Sequence, residues 1–454
     1  MKRPPGPDGL PFIGSLLRAR RDPLRFARDV TRAYGDIAYF RIGIYTGYLL
    51  NHPDHFRHVL QSNLRNYSKE NYNYKKLKPV LGEGLITAEG DSWLRSRRLI
   101  QPVFHRKRIA RVGSIITQAA TGMLDHWAAI VDRDRTINLN TAMMRLTLRI
   151  IFRALFSMNI GTEANQVLHS FTRLNEDIAQ RFRAVFVPPP GIPTPRNRKF
   201  KRERDNLDRV VYEIIHRRRA DGNSHDDLLE TLLSARDESS GQRMTDRQIR
   251  DEVMTLMLAG HETTANLLTW TCYLLTRHPS VVKKLRTELR TVLGGHEPTA
   301  DDLSELQYTK QVLQESMRLY PPVWIISRQA KNEDTIAGYP IPAGSTVTMC
   351  TYTIHRHPEF WEHPDAFRPE RFDPGRSEHQ SPEAYFPFGA GPRFCIGNNL
   401  AIMEGQMILA CIYQRYGLRL VPGHRVEPEP LVTLRPREGL HMSVHSPEIR
   451  HEPH

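Results

Sequence analysis

Cysteine is scarce in this chain, and its four residues, Cys272, Cys350, Cys395 and Cys411, stand far apart. No CxxC spacing or neighbouring histidine pair accompanies them, which excludes a disulfide framework and a zinc site of the usual spacing. A reducing, cytoplasmic setting is therefore expected. Long apolar runs are missing as well. The stretch from Leu10 to Leu17 is broken by Pro11 and Gly14, so it offers neither a secretory leader nor a transmembrane segment. Acidic residues are outnumbered, 50 against 64 lysines and arginines, leaving a net charge of +14. Such a balance points to an anionic partner. The arginines are scattered through helical patterns, without the spacing of a zinc finger or the aromatic signature of an RNA-binding sheet, so nucleic acid is not expected. An acidic protein is the better match for a basic face. With 25% charged and 39% apolar residues over 454 positions, the chain is globular and long enough for a sizeable core.

Against these absences one stretch stands out, Tyr385-Phe386-Pro387-Phe388-Gly389-Ala390-Gly391-Pro392-Arg393-Phe394-Cys395-Ile396-Gly397. A turn-rich loop delivers Cys395 to the start of a helix pattern. A thiol placed there feels the helix field and free backbone N–H groups, and both favour its anion. Gly389 and Gly391 permit tight turns, and Gly397 removes a side chain where a flat ligand must approach the backbone. Thiolate ligation of a haem iron is the chemistry this pattern suggests. A plain buried cysteine is the alternative for the loop taken alone.

The remaining chain reads mostly as helices. A helix over 24–34 and a hairpin over 37–50 open it, and residues 66–78 read as loop with short helical pieces. The next helix begins at 90–98 with Asp91 or Ser92 as cap, and places Trp93 and Arg97 on one face. Two helices divide 112–155 near Asp132, a further one spans 166–182, and an apolar proline-rich connection, 184–195, leads into a basic helix over 196–219. Thr245-Asp246-Arg247-Gln248 is a capping box for a helix running to Arg277. Inside that helix, Ala259-Gly260-His261-Glu262-Thr263-Thr264 gives up helix propensity, about 1 kcal/mol for the glycine alone. The functional reading is a groove: Gly260 lets something lie against the backbone, and Glu262 and Thr263 supply a carboxyl and a hydroxyl for moving protons. Glu315 and Arg318 lie one turn apart on a helix ending before Pro321, and strands are expected over 336–342 and 345–352. A helix from Cys395 to about Tyr416 and a hairpin of 431–434 with 440–444 close the chain.

In this order, the capped helix with Ala-Gly-x-Glu-Thr-Thr, then Glu-x-x-Arg, then Pro369-Glu370-Arg371-Phe372, then Phe-x-x-Gly-x-Arg-x-Cys-x-Gly resembles the cytochrome P-450 family of haem-thiolate monooxygenases. The resemblance spans nearly the whole chain. It implies a mainly α fold with small β-sheets, one haem domain over residues 1–454 without a fused reductase, and haem b between the long helix and the helix after the Cys395 loop. It makes Cys395 the proximal ligand and packs Phe388 near its sulfur. Trp93, Arg97, Arg328 and Arg393 would bind the haem propionates, with Ala259, Gly260 and Gly397 also against the cofactor. Thr263 and Glu262 would handle protons, and Glu315, Arg318 and Arg371 would form a buried structural triad.

The implied reaction inserts one O2-derived oxygen atom into a C–H or C=C bond of a lipophilic substrate such as a terpenoid, carotenoid or fatty acid. Substrate contacts would come from Val323, Trp324, Ile325 and Val432, from the loop around 72–85, from the 186–195 lid and from the turn near 432–434. Electrons would come from NAD(P)H through a separate ferredoxin and ferredoxin reductase, with Arg95, Arg98 and Arg106 as docking cations on a monomer. The Pro4-Pro5-Gly6-Pro7 opening resembles the hinge after a membrane anchor, although a bacterial-type member without one is expected. A peroxide-using or isomerising haem-thiolate enzyme and a non-catalytic haem-binding protein remain the alternative classes.

Overall fold

The structure, a computed structural model, describes residues 3–43, 45–131, 136–161, 163–183, 188–189, 191–221, 225–236, 241, 243–375 and 382–446. The elements that position the site are, in chain order, strands β1 (Ile37–Ile42), β2 (Tyr45–Leu50) and β3 (Tyr67–Ser68), then helices α1 (Tyr72–Leu81), α2 (Gly90–Ile100), α3 (Leu139–Phe156), α4 (Glu163–Arg183), α5 (Asp246–Thr276) and α6 (Gln307–Leu319). Strands β4 (Ile326–Ala330) and β5 (Thr346–Met349), helix α7 (Asn398–Arg415), and strands β6 (Pro428–Pro430) and β7 (Leu434–Pro436) follow. The fold is mainly α with small sheets.

Helix α5 is the axis of the molecule. Its 31 residues span about 46 Å, and both steps of the predicted capping box form, Gln248 N–H to Thr245 Oγ1 and Thr245 N–H to Gln248 Oε1. Nearly every residue from Ile249 to Leu275 is buried, so the helix is surrounded by others. Of its threonines, Thr263, Thr269 and Thr271 each give their hydroxyl proton to the carbonyl four residues earlier.

Strands β1–β2–β5–β4–β3 form the largest sheet, with only β2 and β5 parallel. A core of Ile37, Tyr48, Phe56, Val347, Trp361 and Phe386 lies against it, separate from the larger helical core.

Three expectations need correction. Residues 72–81 form helix α1, started by Asn71, whose Oδ1 accepts from the N–H groups of Asn73 and Tyr74; Pro79 inside it and the absence of an apolar period hid it. Helix α2 is preceded by Glu89 rather than capped by Asp91 or Ser92. The closing hairpin differs too. β6 pairs with β7, whereas His441–His445 pairs with Gly417–Leu420 and Thr136–Asn138, which lie too far off in sequence for local patterning to register.

Candidate functional site

The Cys395 loop is fastened before it reaches the sulfur. Tyr385 donates its hydroxyl to the Gln314 carbonyl at 2.9 Å, and Phe386 N–H donates to His355 Nε2 at 2.8 Å. Phe386 then packs on Phe56 with ring centroids 5.0 Å apart. At Gly391 the backbone turns with φ +69°, and a Cβ would stand 2.0 Å from the Leu60 carbonyl oxygen, so no other residue fits. Cys395 N–H closes back onto the Phe388 carbonyl at 3.0 Å.

Of the four cysteines only Cys395 is exposed, and its surface opens on a cavity of about 1060 Å³. The Gly397 N–H and the Arg97 guanidinium pull its pKa down as the sequence suggests, but the thiol, though open to the cavity, lies deep among protein atoms, and that burial is the larger effect and pushes it up. The sulfur lies ahead of the helix, since α7 begins at Asn398. A cation against the sulfur would reverse the balance. Beside it, a Cβ on Gly397 would meet only Phe104, at 3.9 Å, leaving the wall open for a flat group.

Every expected cofactor, catalytic and pocket residue borders this one cavity: Trp93, Arg97, Ala259, Gly260, Glu262, Thr263, Val323, Trp324, Ile325, Arg328, Phe388, Arg393, Cys395, Gly397 and Val432. Glu315, Arg318 and Arg371 are elsewhere, fully buried behind α6. Glu315 accepts from Arg318 at 2.7 and 2.9 Å and from Arg371 at 3.2 Å, while Arg318 also donates to the carbonyls of His355, Pro364 and Ala366.

One edge of the cavity is cationic. Arg393 lies 4.3 Å over the Trp93 ring and donates to Glu89 at 2.9 Å, while Arg328 donates to the Tyr74 hydroxyl at 3.2 Å. Between them is Lys69, whose Nζ donates to the Ile86 carbonyl at 2.7 Å. Burial, then Arg328 and Arg393, hold the Lys69 ammonium well below its usual range, with Glu89 the carboxylate opposing them. Two buried cations, Lys69 and Arg328, and the half-buried Arg393 facing one carboxylate are costly without a further anion. Haem, with two propionates and a flat face, fits both this charge and the open wall at Gly397. Lys69 and Glu89 escaped sequence reasoning because neither belongs to a spaced motif, whereas Tyr74 falls within the 72–85 loop expected at the substrate.

Across the cavity, Thr263 Oγ1 donates to Ala259 O at 2.6 Å. Glu262 is buried and accepts from Asn175 of α4 and Thr433 of the β6–β7 turn, and burial raises its pKa. Gly260 borders the cavity as expected, and the space left by its missing side chain is met by Ile151 of α3, so the glycine also serves helix packing. Trp324 is drawn into a core with Leu24, Tyr352 and Leu434, its indole N–H donating to Leu431 O at 3.0 Å. The rest of the cavity wall is largely apolar, including Ile151, Leu155, Phe182, Leu256, Leu258 and Leu431. In the expected lid, residues 186–187 and 190 lie outside the described residues, as does the side chain of Arg106. Among the described residues no helix is long and apolar enough to cross a membrane.

Comparison with known proteins agrees with this geometry. The Cytochrome P450 family model matches residues 4–442. Cyclooctat-9-en-7-ol 5-monooxygenase of Streptomyces melanosporofaciens is 35% identical over 92% of this chain and 90% of its own. Pentalenene oxygenase of Streptomyces avermitilis is 33% identical over 94% of each. The crystal structure of the cytochrome P450DA heme domain superposes with a TM-score of 0.88 at 26% identity, covering 99% of this chain and 98% of that one. The chain belongs to the cytochrome P450 family and is a monooxygenase.

Proposed function

We propose that this P450, as one haem domain over residues 1–454, inserts an O2-derived oxygen atom into a C–H or C=C bond of an apolar, terpenoid-class substrate. The observation that carries the reading is the single cavity bordered by the Cys395 sulfur, the Glu262–Thr263 pair and an apolar wall. The names of the two relatives, for pentalenene and cyclooctat-9-en-7-ol, support an unsaturated hydrocarbon skeleton over a fatty acid.

When bound, the haem supplies reductive activation of O2 and transfer of one oxygen atom to carbon. Cys395 would hold the iron, and Lys69, Arg328, Arg393 and Arg97, with Trp93, would hold the propionates. Thr263, already bonded back to Ala259, presents its hydroxyl at the cavity wall. Glu262 keeps a proton more readily than an exposed carboxyl because burial disfavours its charge, and so can give one up toward Thr263. Leu256, Leu258, Val323, Ile325 and Val432 exclude water and orient the substrate by shape.

Electrons come from NAD(P)H through a ferredoxin and its reductase in the cytoplasm, with the exposed Arg95 and Arg98 of α2 on the docking face. The test is a ferrous carbon monoxide difference spectrum of the wild type and Cys395→Ser, followed by a terpene panel screened for Soret shifts and turnover with those partners. A thiolate-type band lost in the serine variant, with product from at least one terpene, is expected. A band unchanged in Cys395→Ser would sink the ligand assignment, and turnover of fatty acids alone would sink the substrate class.

A further inference from the structure

Glu262 is held by a directional chain. Its Oε1 accepts from Asn175 Nδ2 and from Thr433 Oγ1. Thr433 Oγ1 accepts from Asn266 Nδ2 at 3.0 Å, and Asn266 Oδ1 accepts from Asn140 Nδ2 at 3.1 Å at the start of α3. A threonine hydroxyl has one proton, and with an amide donating to its oxygen that proton goes to Glu262. Glu262, Asn266 and Thr433 are all buried, so water does not compete. Both hydrogen bonds fall on Oε1, which leaves Oε2 as the oxygen for exchanging protons.

The turn that carries Thr433 also supplies Leu431 and Val432 to the apolar cavity wall. Leu431 N–H donates to Thr433 O at 3.0 Å, and Trp324 holds the Leu431 carbonyl, so Leu431, Val432 and Thr433 are tied into one turn.

We propose that Thr433 is a positioning residue that couples the fit of substrate against Leu431 and Val432 to the orientation of the Glu262 carboxyl. The inference rests on the monooxygenase reading and adds to it the link between substrate contact and proton delivery. Among the described residues, the charged groups around Glu262 are Arg435 of β7 and its partners Glu176 of α4 and Glu429 of β6, each 3.1 Å from Arg435. They are common to all the variants below.

The test uses Thr433→Val and Thr433→Ser in the full chain, with Glu262→Gln to assign the Glu262 carboxyl band in isotope-edited infrared spectra. In the wild type, substrate should shift that band. In Thr433→Val the ligand-free titration should move upward, because a bond favouring the carboxylate is gone, and the substrate-induced shift should vanish. The fraction of NAD(P)H electrons recovered as product should fall about 3- to 10-fold, the effect of one hydrogen bond, with substrate affinity nearly unchanged. Thr433→Ser should restore all three. An unmoved titration in Thr433→Val overturns the clamp, and equal losses in the valine and serine variants overturn the hydroxyl's role. A moved titration in a protein that oxidises no substrate supports the clamp while overturning the monooxygenase reading.

Discussion

Ile151 Cδ1 of α3 lies 2.5 Å from where a Cβ on Gly260 of α5 would stand. Helix propensity alone would make Gly260→Ala stabilising by about 1 kcal/mol. Overpacking a filled site costs about 1–3 kcal/mol, and here the obstacle is a branched side chain of the helical core. The expected net effect of Gly260→Ala is a loss of about 1 kcal/mol, largely recovered by adding Ile151→Val. Thermal unfolding of both variants and the wild type checks it. A more stable Gly260→Ala would mean that Ile151 yields freely.

Arg318 is completely buried, as is its partner Glu315. Its guanidinium ties α6 to the carbonyls of His355, Pro364 and Ala366, while Glu315 Oε1 also accepts from the Arg368 N–H. Removing one member leaves an unpaired buried charge, so Arg318→Ala should cost about 3–5 kcal/mol. Soluble yield and haem content should collapse together. Any folded fraction that retains haem should keep the wild-type substrate profile, because the triad does not border the cavity; an altered profile would argue otherwise.

The cation cluster makes a prediction of opposite signs. Lys69→Gln or Arg393→Gln should speed haem loss about 10- to 100-fold, the scale of a charge-assisted hydrogen bond of about 1.5–3 kcal/mol. Glu89→Gln removes the carboxylate that favours the Lys69 charge and binds Arg393 in competition with the propionates, so it should retain haem at least as well as the wild type. Transfer of haem to an excess of apomyoglobin measures all three. Faster loss from Glu89→Gln would make that carboxylate a necessary brace for Arg393.

Glu252 of α5 anchors the 82–88 turn beside the cavity by accepting the Leu85 N–H at 2.9 Å. Burial raises its pKa from 4.5 to about 7. A raised carboxyl binds its proton more tightly in the folded state. Its contribution is therefore complete below about pH 4.5 and is lost as pH rises through about 7. At about 1.4 kcal/mol per unit, the full swing is about 3 kcal/mol. Glu252→Gln should flatten the pH dependence of the melting temperature across that window, by comparison with the wild type. An unchanged slope would assign the dependence to other groups.

The extent to which the site could be read from sequence follows the range of each interaction. The capping box of α5 and the Glu315–Arg318 pair are local, involving side chains three residues apart, and they form as spaced. Gly391 was legible as a turn, yet the Leu60 carbonyl that makes it obligatory comes from 331 positions earlier. Lys69 carried no signal at all, since its significance comes from Arg328 and Arg393, which only folding brings to it.

Sequence by itself determined the helical frame, the turn that presents Cys395 and the order of motifs that places this chain among the P450s. Those features depend on backbone preference, capping and spacing, which act over a few residues. Tertiary structure decided the charges and the filling of space. It set the Cys395 thiol deep in the protein at the cavity wall, so that burial outweighs the Gly397 N–H, and it filled the gap at Gly260 with Ile151. It also gave Glu262 its partners from α4 and the β6–β7 turn. Desolvation and close packing depend on every neighbour at once, and those neighbours come from distant parts of the chain.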